Sequence, residues 1–255
     1  MFISYLKHLL QANTLHGTHS PFVYSFLENV VYKKIKHPFF DKIEELRNEL
    51  LQNKNEIEIN DYGAGSKIHK YNKRSISSIA RISVKSKKYC ELLYRICQWH
   101  KTENVIELGT SLGITSAYLS LVSNNVITIE GCKNIASIAK QNFEKLNLNN
   151  IQIINNTFDN CLNIELEKIK GQKNVYYIDG NHKKDATIKY FETILQYATK
   201  ADILIFDDIH WSKEMEEAWQ YICRHPKAIV TLDLFQLGIV FLHNTQVKEN
   251  FKIRF

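Results

Sequence analysis

The stretch Glu107-Leu108-Gly109-Thr110-Ser111-Leu112-Gly113 constrains this chain more than any other. An apolar run, Val105-Ile106, leads into it, and a helical pattern follows from Ile114 to Val122. A second β-branched run, Val126 to Ile129, then ends on Glu130. Strand, glycine turn, helix, strand and terminal acid in this order form a nucleotide-binding βαβ unit. Gly109 and Gly113 let the backbone turn sharply and approach a ligand that a Cβ would displace. Glu130 stands about twenty residues past the first glycine, where a carboxylate accepts hydrogen bonds from ribose hydroxyls. Together these residues imply an adenosine-containing cofactor.

A second glycine turn competes with the first. Residues 57–66, IEINDYGAGS, also follow a strand, and as a bare pattern they look more like a cofactor loop. After Gly65, however, no acid appears until Glu91, and no second strand follows at βαβ distance. The cofactor is therefore assigned to Glu107–Gly113, and Asp61–Ser66 is read as a tight turn. A dinucleotide is disfavoured because ELGTSLG spaces its glycines by four and lacks G-x-G-x-x-G.

The rest of the chain supplies a frame for this unit. Helical spacing of apolar residues predicts helices at Phe2–Gln11, Pro21–Tyr32, Asp41–Gln52 and Tyr89–Trp99, with Ser20 capping the second. Glu56 to Asp61 alternates as a short strand. Beyond Thr102, strands are predicted at 104–108, 126–130, 151–154, 174–179 and 202–207, and helices at about 114–122, 133–146, 184–198 and 213–223. Ala228–Phe235 and Ile239–His243, closely joined, read as a hairpin. The expected fold is α/β: a doubly wound, mostly parallel, seven-stranded Rossmann-like sheet with a C-terminal antiparallel hairpin and a helical N-terminal extension. The expected division is residues 1–88 as the extension, a lid for substrate or cofactor, and 89–255 as the cofactor-binding domain.

Charge marks the same division. Residues 1–100 carry a net +7 and the remainder −1, so the whole excess of +6 lies in the N-terminal part. Ser66 to Tyr89 holds eight Lys/Arg and no acid. It reads first as a solvated basic surface around a short helix, and second as a phosphate or nucleic-acid contact. No aromatic interleaving marks a base-stacking platform there. No apolar stretch approaches the roughly 20 residues of a membrane span. The five cysteines form no CxxC pair and read as reduced thiols of a cytoplasmic protein, with Cys90 and Cys97 packed on one helix face.

From residue 89 to about 245 the chain resembles the class I S-adenosylmethionine (SAM)-dependent methyltransferases, and among them the catechol-type O-methyltransferases. The resemblance rests on the order and spacing of ELGTSLGIT, VITIE, YYIDGNH, LIFDD and LDLFQLGIVFL. It implies that Glu107, Gly109 and Gly113 form the SAM loop, that Ser111 and Thr115 contact the methionine end, and that Glu130 binds the ribose. Thr157 and Phe158 fall where adenine is contacted, although Asn155 replaces a common glycine just before them. A hydroxyl and amides at a helix N-terminus suit the methionine carboxylate on independent grounds.

A second group of residues bears on the reaction. Asp179 ends the fourth strand, in Tyr177-Ile178-Asp179-Gly180-Asn181-His182, and Asp207-Asp208 end the fifth, followed by Ile209 and His210. Carboxyl ends of neighbouring parallel strands share a ligand crevice. Oxygen donors of this kind suit Mg²⁺, which lowers the pKa of a bound hydroxyl and fixes its oxygen. The resemblance implies metal ligands at Asp179, Asp207 and Asp208, the third being asparagine in the family, and Asp179 also lies at the cofactor. It places the family's catalytic lysine at His182, which suits a general base near neutrality. His210 is read as a second ligand or orienting group, and the strand-end acids have an alternative role as cofactor ligands or helix caps. The expected function is methyl transfer to a hydroxyl of a small molecule, assisted by Mg²⁺, in a chain that forms a homodimer. The alternatives are an RNA methyltransferase that uses the basic segment, or a non-catalytic SAM-binding scaffold. His16-Gly17-Thr18-His19-Ser20-Pro21-Phe22 is read as a capped turn ahead of a metal-ligating one.

Overall fold

A computed structural model of the chain describes residues 2–60, 73–243 and 245–255. The turn Asp61–Ser66 and the start of the basic segment lie outside the described residues. The first described elements are α1 (Phe2–Gln11), a 3-10 turn (Leu15–Gly17), α2 (Pro21–Phe26) running into a π-helical turn (Leu27–Val31), α3 (Phe40–Gln52), β1 (Glu56–Glu58), β2 (Lys73–Ser75), α4 (Ile76–Ser83) and α5 (Lys87–His100). The alternating part follows with β3 (Asn104–Leu108), α6 (Ile114–Ser120), β4 (Asn125–Glu130), α7 (Lys133–Lys145), β5 (Ile151–Asn155), α8 (Phe158–Lys168), β6 (Asn174–Ile178) and α9 (Lys184–Ile194). The last elements are β7 (Ile203–Asp207), α10 (Lys213–Arg224), β8 (Val230–Asp233), β9 (Leu237–Phe241) and β10 (Glu249–Lys252). Most of the elements read from the sequence appear within a few residues of their predicted ends. α4 is the short helix expected within the basic segment, whereas β2, α8 and β10 were not expected. Among the described residues β3–β9 correspond to the seven strands predicted for the sheet, and β10 is an addition.

The chain divides into two compact units, residues 34–165 and residues 1–33 with 166–255. The unit of residues 34–165 contains the parallel strands β3, β4 and β5 in the order β3-β4-β5, with register Glu107↔Thr128 and Glu130↔Asn155. β3 is buried along its whole length, as expected of a strand covered on both faces. Its helices share one core, in which Phe40, Ile43 and Leu46 of α3 pack with Tyr94 of α5 and with Ile114, Ala117 and Tyr118 of α6. The Phe40 ring lies 4.7 Å from Tyr118, whose hydroxyl donates to Glu44 Oε1 at 2.8 Å. Burying a side chain such as Phe40 stabilises by roughly 1.5–3 kcal/mol. Segment 40–52 thus belongs to the core that carries the glycine turn.

In the other unit the strand order is β10-β8-β9-β7-β6. β6 and β7 are parallel, β9 runs antiparallel to both β7 and β8, and β10 is parallel to β8. The predicted hairpin is therefore present, and its second strand is the reversed one. Phe22 and Phe26 of α2 each meet Phe241 of β9 edge-on at 5.1 Å. Ser20 Oγ accepts from the Val23 amide at 3.4 Å with Pro21 in the first helical position, the capped turn read from the sequence. β10 has no apolar run. It forms because its backbone completes the edge of β8 and because Phe251 and the following Ile253 are buried. Among the described residues no helix is long and apolar enough to cross a membrane.

Candidate functional site

The glycine turn of the 34–165 unit is built by backbone geometry that the sequence requires. Gly109 has φ 108° and Gly113 φ 82°, both in the left-handed region, and Ser111 between them has φ 49°. At Gly113 a Cβ would stand 2.5 Å from the Phe143 ring of α7, so the missing side chain also makes room for core packing. The Gly109 amide donates to the Ile129 carbonyl at 3.0 Å, anchoring the turn to β4. Asn142 Nδ2 donates to the Leu112 carbonyl at 2.9 Å from the other side.

Two carboxylates brace this turn. Glu130, half-buried at the end of β4, accepts from the Ser111 amide at 3.1 Å and from the Cys132 amide at 2.9 Å. Glu107 is fully buried, and its Oε2 accepts from Ser116 Oγ and, at 2.7 Å, from Thr128 Oγ1. Burial pushes its carboxyl up to about 7, opposed by those two hydroxyls. Ser111 Oγ is out of contact with solvent and has no hydrogen-bond partner, a donor positioned for an acceptor in the turn. Thr115 is buried, and its hydroxyl lies 4.0 Å from Cys90 Sγ. Cys90 and Cys97 are buried as expected, and burial raises their thiols to about 11 and about 12, respectively, so they stay protonated at neutral pH.

The departure at Asn155 has a structural reason. Its Nδ2 donates to the carbonyls of Glu130 and Gly131 at 2.8 and 3.1 Å, tying the end of β5 to the end of β4. Thr157 and Phe158, both half-buried, follow at the start of α8, where the Thr157 carbonyl accepts from the Asn160 amide at 3.2 Å. Ser116, which the sequence reading passed over, is the hydroxyl that meets Glu107. Its position in the first turns of the helix after the glycine loop is the signal that could have found it.

The unit of residues 1–33 and 166–255 holds the second group. Register Ile178↔Phe206 puts Asp179 and Asp207 one step further on, at the carboxyl ends of adjacent strands. Asp179 Oδ2 accepts from Tyr177 Oη at 3.0 Å, and its Oδ1 lies 3.7 Å from His182 Nε2. Both side chains are partly open to solvent. The Trp211 ring stands 5.9 Å from that of His182, an aromatic neighbour the sequence reading did not name. Asp207 is buried, and Asp208 turns the chain with φ 53°, its carbonyl accepting from the Trp211 amide at 2.9 Å.

His210 points elsewhere. Its Nε2 lies 2.8 Å from Asp233 Oδ2 and its Nδ1 3.3 Å from Glu216 Oε1. Burial would lower its pKa, but these two carboxylates outweigh burial and raise it. His8 of α1 completes the cluster, with Nδ1 3.4 Å from Asp233 Oδ1. Burial holds His8 below its ordinary 6.5. Among the described residues, the group of three metal-capable side chains whose donor atoms all lie within 4.8 Å of one another is His8, His210 and Asp233. Asp179, Asp207 and Asp208 are not in that group.

In the described part of the basic segment, Lys85 and Lys88 lie over the Tyr89 ring at 5.5 and 5.9 Å, and Ser75 caps α4 through the Ser78 amide.

Comparison with known proteins agrees with this geometry. Residues 106–209 match the family model described as a methyltransferase domain. A curated relative, the protein-L-isoaspartate O-methyltransferase of Bradyrhizobium sp., is 37% identical over 54 residues, 21% of this chain and only 25% of its own length. Among solved structures, the O-methyltransferase from Bacillus cereus in complex with SAH aligns with TM-score 0.55 and 18% identity over 86% of this chain and 96% of its own. The SAH-bound Podospora anserina methyltransferase aligns with TM-score 0.56 and 12% identity over 83% of this chain and 100% of its own. The SAM-bound O-methyltransferase TomG from Streptomyces achromogenes aligns with TM-score 0.55 and 12% identity over 87% and 95%. Residues 106–209 thus match a methyltransferase domain, and the fold of the chain is that of SAM-dependent O-methyltransferases.

Proposed function

We propose that the chain transfers a methyl group from SAM to a hydroxyl of a small molecule. The observation that carries this reading is the braced turn Glu107–Gly113: two left-handed glycines, an amide fixed by Glu130, and the unpartnered Ser111 hydroxyl. These residues fit SAM. Ser111, with Thr115 at the start of α6, would hold the amino-acid end, Glu130 at the end of β4 would meet the ribose hydroxyls, and Thr157 and Phe158 would border the adenine. Bound SAM would supply an electrophilic methyl whose C–S bonding electrons return to sulfur as the acceptor oxygen takes the carbon.

The acceptor's proton goes to His182. With Nε2 turned to Asp179, Nδ1 is the nitrogen left to accept it, and the resulting imidazolium is stabilised by the carboxylate. Tyr177 fixes Asp179, and Trp211 supplies an apolar wall beside the histidine. Asp179, Asp207 and Asp208 carry oxygen donors of the kind that suits Mg²⁺, and their carboxylates would have to draw together to hold it. A bound ion would lower the pKa of the acceptor hydroxyl. Catalytic gain comes chiefly from holding acceptor and donor in line.

Calorimetric titration with SAM, SAH and NAD in parallel tests the cofactor, and binding of NAD alone overturns the reading. Methyl transfer is followed with labelled SAM across phenolic and aliphatic alcohols. His182→Ala lowers kcat by about 10²-fold or more while SAM affinity is unchanged. Full activity in excess EDTA removes the metal from the mechanism and leaves the rest standing.

A further inference from the structure

We infer that His8, His210 and Asp233 form a binding site for a single divalent ion of the Zn²⁺ class, separate from the strand-end aspartates. The three side chains come from α1, from the segment after β7 and from the end of β8, and their donor atoms gather within 4.8 Å. Ligand atoms on a tetrahedral ion with bonds of about 2.0–2.1 Å stand roughly 3.3 Å apart. His8 Nδ1 and Asp233 Oδ1 are 3.4 Å apart, and His210 Nε2 and Asp233 Oδ2 are 2.8 Å apart, so small adjustments admit an ion.

The outer contacts point the same way. A metal-ligating histidine ordinarily donates its other ring N–H to a carboxylate or a backbone carbonyl, which fixes the tautomer and turns a lone pair inward. Both histidines have this arrangement. His8 Nε2 lies 3.2 Å from the Ile253 carbonyl, and His210 Nδ1 lies 3.3 Å from Glu216. Phe235 closes the cluster, stacked on His210 at 5.2 Å and edge-on to His8 at 5.5 Å. Its amide holds Asp233 Oδ1 at 2.9 Å.

The competing occupant is a proton on His210 Nε2, hydrogen-bonded to Asp233. That satisfies His210 and leaves His8 Nδ1 without a hydrogen-bond partner, although His8 is only 5% exposed. A native fold seldom leaves such a group unmet. A cation satisfies both rings at once. Two imidazoles and one carboxylate favour Zn²⁺ over Mg²⁺, and three protein ligands leave a fourth position for water or a substrate atom.

The test uses the full chain, stripped with a chelator and kept in excess Mg²⁺ so that oxygen-only sites are filled. Zn²⁺ uptake is measured by calorimetry, and Co²⁺ uptake by its visible absorption. One ion per chain is expected, with the intense Co²⁺ bands of a tetrahedral site and a Zn²⁺-dependent rise in Tm. Asp233→Asn and His8→Asn lower the affinity about 100-fold, and Glu216→Gln about tenfold, while Asp179→Asn leaves it unchanged. If the first two variants fail to fold, Glu216→Gln and the wild-type Tm decide. The inference is overturned by no saturable uptake, by uptake insensitive to Asp233→Asn and Glu216→Gln, or by uptake that disappears in Asp179→Asn.

Discussion

Glu107 shows how one residue carries both fold and site. It is buried beneath the glycine turn, and only one of its oxygens is hydrogen-bonded. Its carboxyl is raised from 4.5 to about 7, so between those values the folded chain binds a proton that the unfolded chain has lost. The stabilising contribution is complete below about pH 4.5 and is lost as pH rises through 7. The difference is roughly 3 kcal/mol by linkage. Glu107→Gln removes this titration, so its thermal stability should change less than that of the wild type between pH 5 and 7, as measured by melting across buffers. Identical pH profiles would show that Glu107 is ionised in the fold. At this scale the sequence was informative about which residue types mattered and silent about partners. Glu130 was legible as a strand-end acid, but its bonds to the Ser111 and Cys132 amides depend on a turn seen only in three dimensions. Asn155 looked like a defect in a pattern and is instead a clamp between two strand ends.

Among the elements, helices and strands with a periodic apolar face were read correctly because burial on one side imposes that period. β10 was missed for the converse reason. Its segment ENFK buries only Phe251, and pairing rather than burial makes it a strand. Two glycines carry element-level constraints that can be tested. Gly113→Ala sets a Cβ against Phe143 at φ 82°, and should cost roughly 1–3 kcal/mol in denaturant unfolding, with weakened SAM binding. Gly113→Ala with Phe143→Leu should recover part of the stability but not the strain. Gly238 in β9 lies under Trp219 of α10, where a Cβ would stand 2.5 Å from the indole. Gly238→Ala should likewise cost roughly 1–3 kcal/mol, and an unchanged midpoint would mean that the indole can move off the strand.

For the whole molecule, the two ends of the chain meet within one unit. The Asn13 amide donates to the Lys252 carbonyl at 2.8 Å, the Arg254 amide to the Asn13 carbonyl at 3.1 Å, and His8 lies against Ile253. Deleting residues 249–255 removes buried Phe251 and Ile253 and frees α1. Two large buried side chains at about 1.5–3 kcal/mol each predict a loss of roughly 3–6 kcal/mol, read as a fall in Tm. A small fall would show that α1 is held by other contacts. The sequence by itself determined the alternating α/β order, the reversed hairpin strand, the glycine turn and the acids at the strand ends. These follow from local rules: apolar period, backbone freedom at glycine, and the place of polar residues where strands stop. Only the tertiary structure decided that α3 packs with the glycine turn's own unit, that Ser116 meets Glu107, and that His210 turns to His8 and Asp233. Those pairings join residues from nine to some two hundred positions apart, and no local propensity specifies which side chain will fill a given space.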